Sequence, residues 1–343
     1  MALLIAEKEV RQLFTAVPSG EGGTGLSMTA AMAALEEAFR HLAEGRAENQ
    51  PRHRVITPAK TVLHYMAAAD YATGYFGMKI YASGPKGIRF FVPLYQIASG
   101  EMVALVEADV LGQMRTGAAS GLATRYMARE DATEVGLIGT GLQARTQLLG
   151  VAAARPVKRI RVFSRDEKRR EDFARRMSEE LGIPVEAQSG GEAAIREADI
   201  VIAATTAREP VILGRWLKAG AHVNAIGANF PNRRELDSEV IERASWIVVD
   251  SVEQSKIEAG DLIVPFAGQA ERWNGVRELS DLVTHAAGRV PSGKNRREIT
   301  LFKSNGVALE DIAVARLVYE LAQQRNVGRE VPLWEGSGII SNF

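Results

Sequence analysis

Residues 135–150 read VGLIGTGLQARTQLLG: an apolar run, two glycines within three positions, then a stretch that turns amphipathic. Strand, tight turn and helix in that order is the reading that decides the fold. Gly139, Gly141 and Ala144 form G-x-G-x-x-A. The first glycine permits the turn, and the second lets backbone approach a pyrophosphate with no side chain between. The small third residue lets the helix pack on the strand, and amide groups at the helix start face the phosphate charge. Outward from this turn, TEVGLIG, KRIRVFS, ADIVIAAT, AHVNAIG and SWIVVD are short apolar runs, with helical stretches between the first three. That alternation predicts a parallel sheet covered on both faces.

The end of the second strand decides which dinucleotide is held. An NAD site presents an acidic residue there to the ribose 2′-hydroxyl. RVFSRDEKRR offers Ser164 and Arg165 instead, with Arg169 and Arg170 behind them. A guanidinium suits a 2′-phosphate, which a carboxylate would repel. The cofactor reading is therefore NADP(H) in preference to NAD(H). Asp166 keeps NAD(H) open, because it takes the acidic role if the strand ends later. The plain alternative makes these arginines a solvated helix face.

The flanking segments differ in texture. Residues 28–45 carry apolar positions at helical spacing with Gly45 as a stop, and 53–110 alternate like strands in HRVITP, GYFGMKIY, GIRFFVPLYQ and MVALVEADV. A helix is predicted over 113–129 and a strong amphipathic one over 308–325. The simplest layout puts a nucleotide domain in the middle of the chain, with the last helix returning to the first part.

Composition narrows the function. Acidic and basic side chains number 42 each in 343 residues, so nothing suggests a polyanion-binding surface and no nucleic-acid partner is expected. With no cysteine there is no disulfide, thiolate metal site or cysteine nucleophile. His41, His53, His64, His222 and His285 form no ligand spacing, so no metal is expected. His222 reads as a strand residue and His53 as a surface position. No apolar run reaches membrane-spanning length, and MALLIAEKEV has neither a basic lead-in nor a cleavage site. The expectation is a soluble, cytoplasmic protein.

Four cations sit in apolar or glycine-rich settings: Arg52 and Arg54 in QPRHRVITP, Lys79 in FGMKIY and Arg115 in GQMRTGAASG. Strand alternation puts Lys79 on the face of Gly77 and Tyr81, opposite Met78 and Ile80, and Arg115 near a helix start. Together they could grip a carboxylate, with planar guanidiniums and a lysine point charge. Exposed side chains are the bland alternative for each.

Over nearly its whole length the chain resembles the ornithine cyclodeaminase/mu-crystallin family. QPRHRV, GMKIY, RTGAASG, GLIGTGLQA, ADIVIAATTAREP, VNAIGANFPNRRELD and FKSNGVALED carry the resemblance by their order and spacing. It implies an α/β fold in which a Rossmann-type parallel-sheet domain, residues 121–305, is inserted in a discontinuous α+β substrate-binding and dimerisation domain, 1–120 and 306–343. It also implies a homodimer acting on a small imino or amino acid. Arg54 (or Arg52, if the alignment shifts), Lys79 and Arg115 match the positions that hold the substrate carboxylate and support catalysis. Gly139, Gly141, Leu142 and Gln143 match the pyrophosphate turn. Thr205 and Thr206 match the loop after the fourth strand, and Thr116, Ser164 and Arg165 complete the cofactor-binding set. Asn229 stands where the family's cyclodeaminases carry an aspartate. An amide cannot accept a proton near neutral pH, so the ketimine reductase branch is the better match.

The leading expectation is hydride transfer to the C=N bond of a cyclic ketimine such as pyrroline-2-carboxylate or piperideine-2-carboxylate. Lys79, its pKa lowered by the nearby arginines, would assist the proton, and Asn229 would orient substrate or water. The alternatives are an alanine or N-alkyl amino acid dehydrogenase, an ornithine cyclodeaminase recycling NAD, and a nucleotide-binding protein without turnover. Glu310 and Asp311 leave a cofactor-side role open for their loop. The helix at 308–325 and the tail LWEGSGIISNF are read as core and dimer contacts.

Overall fold

Two eight-stranded sheets organise the chain, joined by one long helix. The computed structural model describes residues 1–14, 25–284 and 297–333. His285 and nearly all of the C-terminal tail lie outside them. The first sheet contains β1 (Ala2–Ile5), β2 (Ala47–Asn49), β3 (His53–Ile56), β4 (Val62–Asp70), β5 (Tyr75–Gly84), β6 (Gly87–Gln96) and β7 (Met102–Glu107). The second contains β8 (Glu134–Ile138), β9 (Arg159–Phe163), β10 (Val185–Ala187), β11 (Ile200–Ala203), β12 (His222–Ala225), β13 (Ala244–Val249), β14 (Val276–Glu278) and β15 (Ile299–Lys303). A final strand, β16 (Arg329–Val331), returns to the first sheet and pairs antiparallel with β1.

The second sheet runs β10-β9-β8-β11-β12-β15-β13-β14 and is parallel throughout. Its strands are apolar on both faces: Ile200 and Ile202 join one core cluster, Val201 and Ala203 the other. This is the expected Rossmann-type sheet, with helices on both faces. The first sheet is mostly antiparallel. It packs one face on the helices Met28–Ala43, Asp109–Met127 and Ala308–Arg325 in a single core.

Among the strands with no clear signal in the sequence are β4, β1 and β15. β4, rich in alanine and carrying His64 and Asp70, lacks a clean alternating pattern, yet it is the centre of a four-strand antiparallel region. β1 was passed over as a short apolar N-terminus. β15 lies between β12 and β13, although it follows β14 in sequence.

The helix expected over 113–129 begins at Asp109 and ends at Met127, which puts Arg115 in its second turn. The early start tolerates Gly112 because a Cβ there would stand 3.1 Å from the Lys79 ammonium. The expected domain division at 120/121 falls inside this helix, which runs unbroken from one sheet towards the other. It is buried on nearly all sides. Against it lies the helix Ala144–Ala154, and the two backbones touch at glycines. A Cβ on Gly150 would collide with the Gly117 carbonyl, and one on Gly121 with the Gly150 carbonyl.

Backbone cannot retreat as a flexible side chain can. Gly150→Ala is therefore expected to lower stability by roughly 1–3 kcal/mol by overpacking, measured as a lower urea midpoint at unchanged slope. A neutral result would mean that the two helices are free to separate.

Candidate active site

The cations singled out in the sequence converge on the covered face of the first sheet. Strand alternation turns Lys79 inward beside Gly77, where it is 3% exposed. Its ammonium donates to Asp311 Oδ1 at 2.8 Å and lies 4.9 Å from the Phe90 ring centroid. Arg115 reaches the same carboxylate through Nε at 3.2 Å and donates from Nη1 to Glu310 Oε2 at 2.6 Å. Burial lowers the Lys79 pKa to about 8; Asp311 opposes this, and Arg115 and Arg52 add to it. The lowering expected from crowding by arginines is present, but desolvation leads it. Burial also works against the Arg115 charge, yet Asp311, Glu310 and Asp250 outweigh it and hold the guanidinium more firmly protonated.

A short turn supports Arg115 from below. Asp250, at the end of β13, accepts from the amides of Asn305 at 2.7 Å and Gly306 at 2.5 Å, and from the Ser304 hydroxyl at 2.9 Å. Gly306 has φ +75°, and any side chain there would collide with the Arg115 guanidinium.

Arg52 and Arg54 both turn inward and meet one carboxylate. Glu258 Oε1 accepts from Arg52 and Oε2 from Arg54, each at 2.5 Å. The two arginines are not equivalent. Arg52 also donates to the carbonyls of Asn305 and Gly306, at 3.0 and 3.1 Å, and its side chain is 3% exposed. Arg54 is 17% exposed, lies 4.9 Å over the Phe230 ring and approaches the Asn229 carbonyl at 3.4 Å. Arg52 is therefore committed to framework, whereas Arg54 keeps an open side towards Asn229. His53, between them, points out and stacks on Tyr65. His64, which sequence reasoning did not place, pairs in register with Arg54 and stacks on Tyr81. Burial and the two arginines lower its pKa to about 4, so it is neutral at physiological pH.

The glycine turn leads from β8 into the helix Ala144–Ala154. Gly139 has φ +104° and abuts the Ala204 carbonyl at the end of β11, so only glycine fits. A Cβ on Gly141 would meet nothing within 4 Å. That open side, with the exposed Leu142 next to it and the following helix start behind it, fits the pyrophosphate of a dinucleotide. Ala144 is fully buried on the sheet, as the motif requires. Thr116, next to Arg115, uses its hydroxyl to donate to Gly112 within its own helix. At the end of β9 the Ser164 hydroxyl accepts from Thr140, and Arg165 is exposed. Arg170 is buried, donating to the Ser164 carbonyl, so it belongs to the framework and not to a solvated face. Asp166 caps the next helix by accepting from the Arg169 amide at 2.9 Å.

Glu235, unseen in the sequence, draws two loops at the carboxyl ends of these strands together. It accepts from the Thr205 and Gly227 amides at 2.6 Å and from Ala228 at 3.1 Å. Asp261 holds the Glu235 and Leu236 amides in turn, and fully buried Lys303 sits 3.6 Å from Asp261. Thr205 and Asn229 thus leave one braced edge, with Thr206 exposed beyond it. His222 is buried in β12 and bonds Thr300. Among the described residues no cluster of His, Asp or Glu could hold a metal, and no helix is long and apolar enough to cross a membrane.

Comparison with known proteins agrees with this fold. The model of the ornithine cyclodeaminase/mu-crystallin family matches residues 20–326. A Delta(1)-pyrroline-2-carboxylate reductase of Bacillus cereus is 38% identical over 250 residues, 72% of this chain and 75% of that protein. The structure of Thermococcus litoralis Delta(1)-pyrroline-2-carboxylate reductase with NADH and L-proline superposes with a TM-score of 0.87 at 34% identity, over 96% of this chain and all of that one. An archaeal alanine dehydrogenase dimer with bound NAD follows at TM-score 0.86 and 32% identity, covering 97% and 99%.

Asp311 is the counter-ion of both Lys79 and Arg115. Asp311→Asn leaves buried Lys79 without its carboxylate and Arg115 with Glu310 alone, and is expected to destabilise the protein by about 3–5 kcal/mol near pH 6.5. An unpaired Lys79 escapes the penalty by losing its proton. The deficit is therefore expected to narrow by about pH 9, measured by urea unfolding at both pH values. An equal deficit at both would assign the loss to Arg115 alone.

Proposed function

The chain belongs to the ornithine cyclodeaminase/mu-crystallin family, and we propose that within it this protein is a nicotinamide-dependent reductase of imino acids. Its substrates are cyclic ketimines of the pyrroline-2-carboxylate and piperideine-2-carboxylate type. The observation that carries this reading is the buried Lys79–Asp311–Arg115 cluster, together with an amide residue, Asn229, in the loop whose carbonyl Arg54 approaches. Arg115, with Arg54 from the other side, supplies planar donors to the substrate carboxylate. Lys79, close to neutral in acidity, holds a proton it can give to the nitrogen as the C=N bond becomes CH–NH. The bound dihydronicotinamide supplies the hydride. Burial of the cluster excludes water, and the braced loops at Thr205 and Asn229 keep the reacting carbon on a fixed path.

Asn229 also weighs against the ornithine cyclodeaminase reading, since deamination and ring closure need a base where this chain has an amide. An open-chain alanine or N-alkyl amino acid dehydrogenase needs the same grip, and the alanine dehydrogenase similarity keeps it as the second reading. NADP(H) is our preferred cofactor: Arg165 stands exposed at the end of β9, and the neighbouring carboxylate is occupied by helix capping. Such a reductase works in the cytoplasm as a homodimer. The uncovered face of the first sheet, where Val55, Leu63 and Tyr65 are exposed, is the surface such a dimer would bury.

NADPH and NADH oxidation with pyrroline-2-carboxylate, piperideine-2-carboxylate, and pyruvate plus ammonia or methylamine tests the reading. Turnover of a cyclic imine supports it, and turnover only with pyruvate plus an amine moves the protein to the second reading. Lys79→Ala is expected to lower kcat about 10²–10⁴-fold with NADPH affinity retained. Arg165→Ala should cut the preference for NADPH about tenfold, the loss of one charge-assisted contact. An Asn229→Asp variant that gained proline formation from ornithine would show that this position alone separates the two chemistries.

A further inference from the structure

Four carboxylates face the buried cations, and they are not equally provided for. Asp250 accepts three hydrogen bonds from the turn at 304–306 on one oxygen. Glu258 bonds both Arg52 and Arg54, and Asp311 bonds both Lys79 and Arg115. Glu310, fully buried, accepts one bond, from Arg115. Its other oxygen, Oε1, is buried with no hydrogen-bond partner among the described residues, as is Asp311 Oδ2, but Asp311 is answered by two cations and Glu310 by one. The groups that face it are Arg115 from the helix Asp109–Met127, Asp250 from the end of β13, and Asp311 from its own helix. One cation against two carboxylates makes its negative charge the most expensive in the cluster to maintain.

We propose that Glu310 is a positioning residue for substrate: as a neutral acid it leaves the charge of Arg115 to the incoming carboxylate, and as an anion it occupies that guanidinium. The inference rests on the reading of Arg115 as the carboxylate grip. Protonated, Glu310 still accepts from Arg115 through Oε2, so the guanidinium keeps its place while its charge is answered by Asp311 alone. A substrate carboxylate then completes the balance, which gives the closed site a reason to prefer anionic imino acids over neutral imines. Ionised, Glu310 is an internal competitor held at effectively high concentration. Burial lifts its carboxyl to about 8, with Asp250 and Asp311 adding to the rise and Arg115 opposing it. The exchange between the two states therefore falls just above neutrality. The group's folded pKa is raised, so its stabilising contribution is present below about 4.5 and is lost as pH climbs through about 8.

The test has two readouts. Isotope-edited infrared spectroscopy of the protein alone, compared with Glu310→Gln, should show a protonated carboxyl band near pH 6.5 that is gone by about pH 9. A Glu310 already ionised near pH 6.5 overturns the proposal, whatever the protein turns over. The second readout is the affinity for pyrrole-2-carboxylate, an unreactive planar carboxylate. Lys79 discharges over the same range, so the wild type should weaken for two reasons and Glu310→Gln for one. The loss of affinity between the two pH values is expected to be about tenfold smaller in the variant, with parallel NADH profiles. Equal losses for the carboxylate, or a change of similar size in the NADH profile, would refute the role. Failure of imine reduction would overturn the functional reading and leave the infrared result standing.

Discussion

A cation can be kept inside a protein only beside a carboxylate that answers it, because desolvation penalises either charge by several kcal/mol when it is left alone. This chain buries Lys79, Arg52 and Arg115, and all but buries Arg54. It draws their counter-ions from remote segments. Asp311 and Glu310 come from the helix Ala308–Arg325, and Glu258 comes from the helix Val252–Glu258. The same charges that would hold a substrate therefore also bind the first sheet to one helix within the second sheet's connections and to another that follows it. The hydrophobic cores supply most of the favourable free energy, while the ion pairs fix which surfaces meet.

Much of the nucleotide half was legible, because its signals are local. A glycine turn needs particular residues within six positions, and buried parallel strands announce themselves as short apolar runs. Five of the eight strands of the parallel sheet were found in that way, as was the helix at 308–325. The four cations were singled out as charged residues in apolar or glycine-rich company, while strand alternation alone reads Lys79 equally well as exposed. Their partners were not found. Lys79 and Asp311 are 232 residues apart, and Arg54 and Glu258 are 204 apart. No periodicity links such positions, so an acidic residue of this kind looks the same as any solvated carboxylate. Glu235 was hidden for the same reason: its three partners are backbone amides, which leave no mark in side-chain identity. β4 was missed because its composition serves neighbouring strands more than its own propensity.

Asn229 shows how much a single position can say when chemistry limits the choice. The backbone of its loop is held by Glu235 through the Gly227 and Ala228 amides and is approached by Arg54 at the Asn229 carbonyl. An amide and a carboxylate differ in the ability to take a proton, the property on which the proposed choice of C=N reduction over deamination rests.

The glycine contact between the helices Asp109–Met127 and Ala144–Ala154 has a bearing on how such an enzyme can change. Arg115 lies two residues from Gly117, and the pyrophosphate turn lies within two turns of Gly150, so main chain against main chain sets the span between the two binding regions. At these contacts the main chains themselves meet, with the Thr146 and Met32 side chains beside them. Core residues on either side can be exchanged while the approach of the two helices at their glycines keeps its length. A scaffold with that property can pass through many substrates without having to rediscover hydride transfer each time.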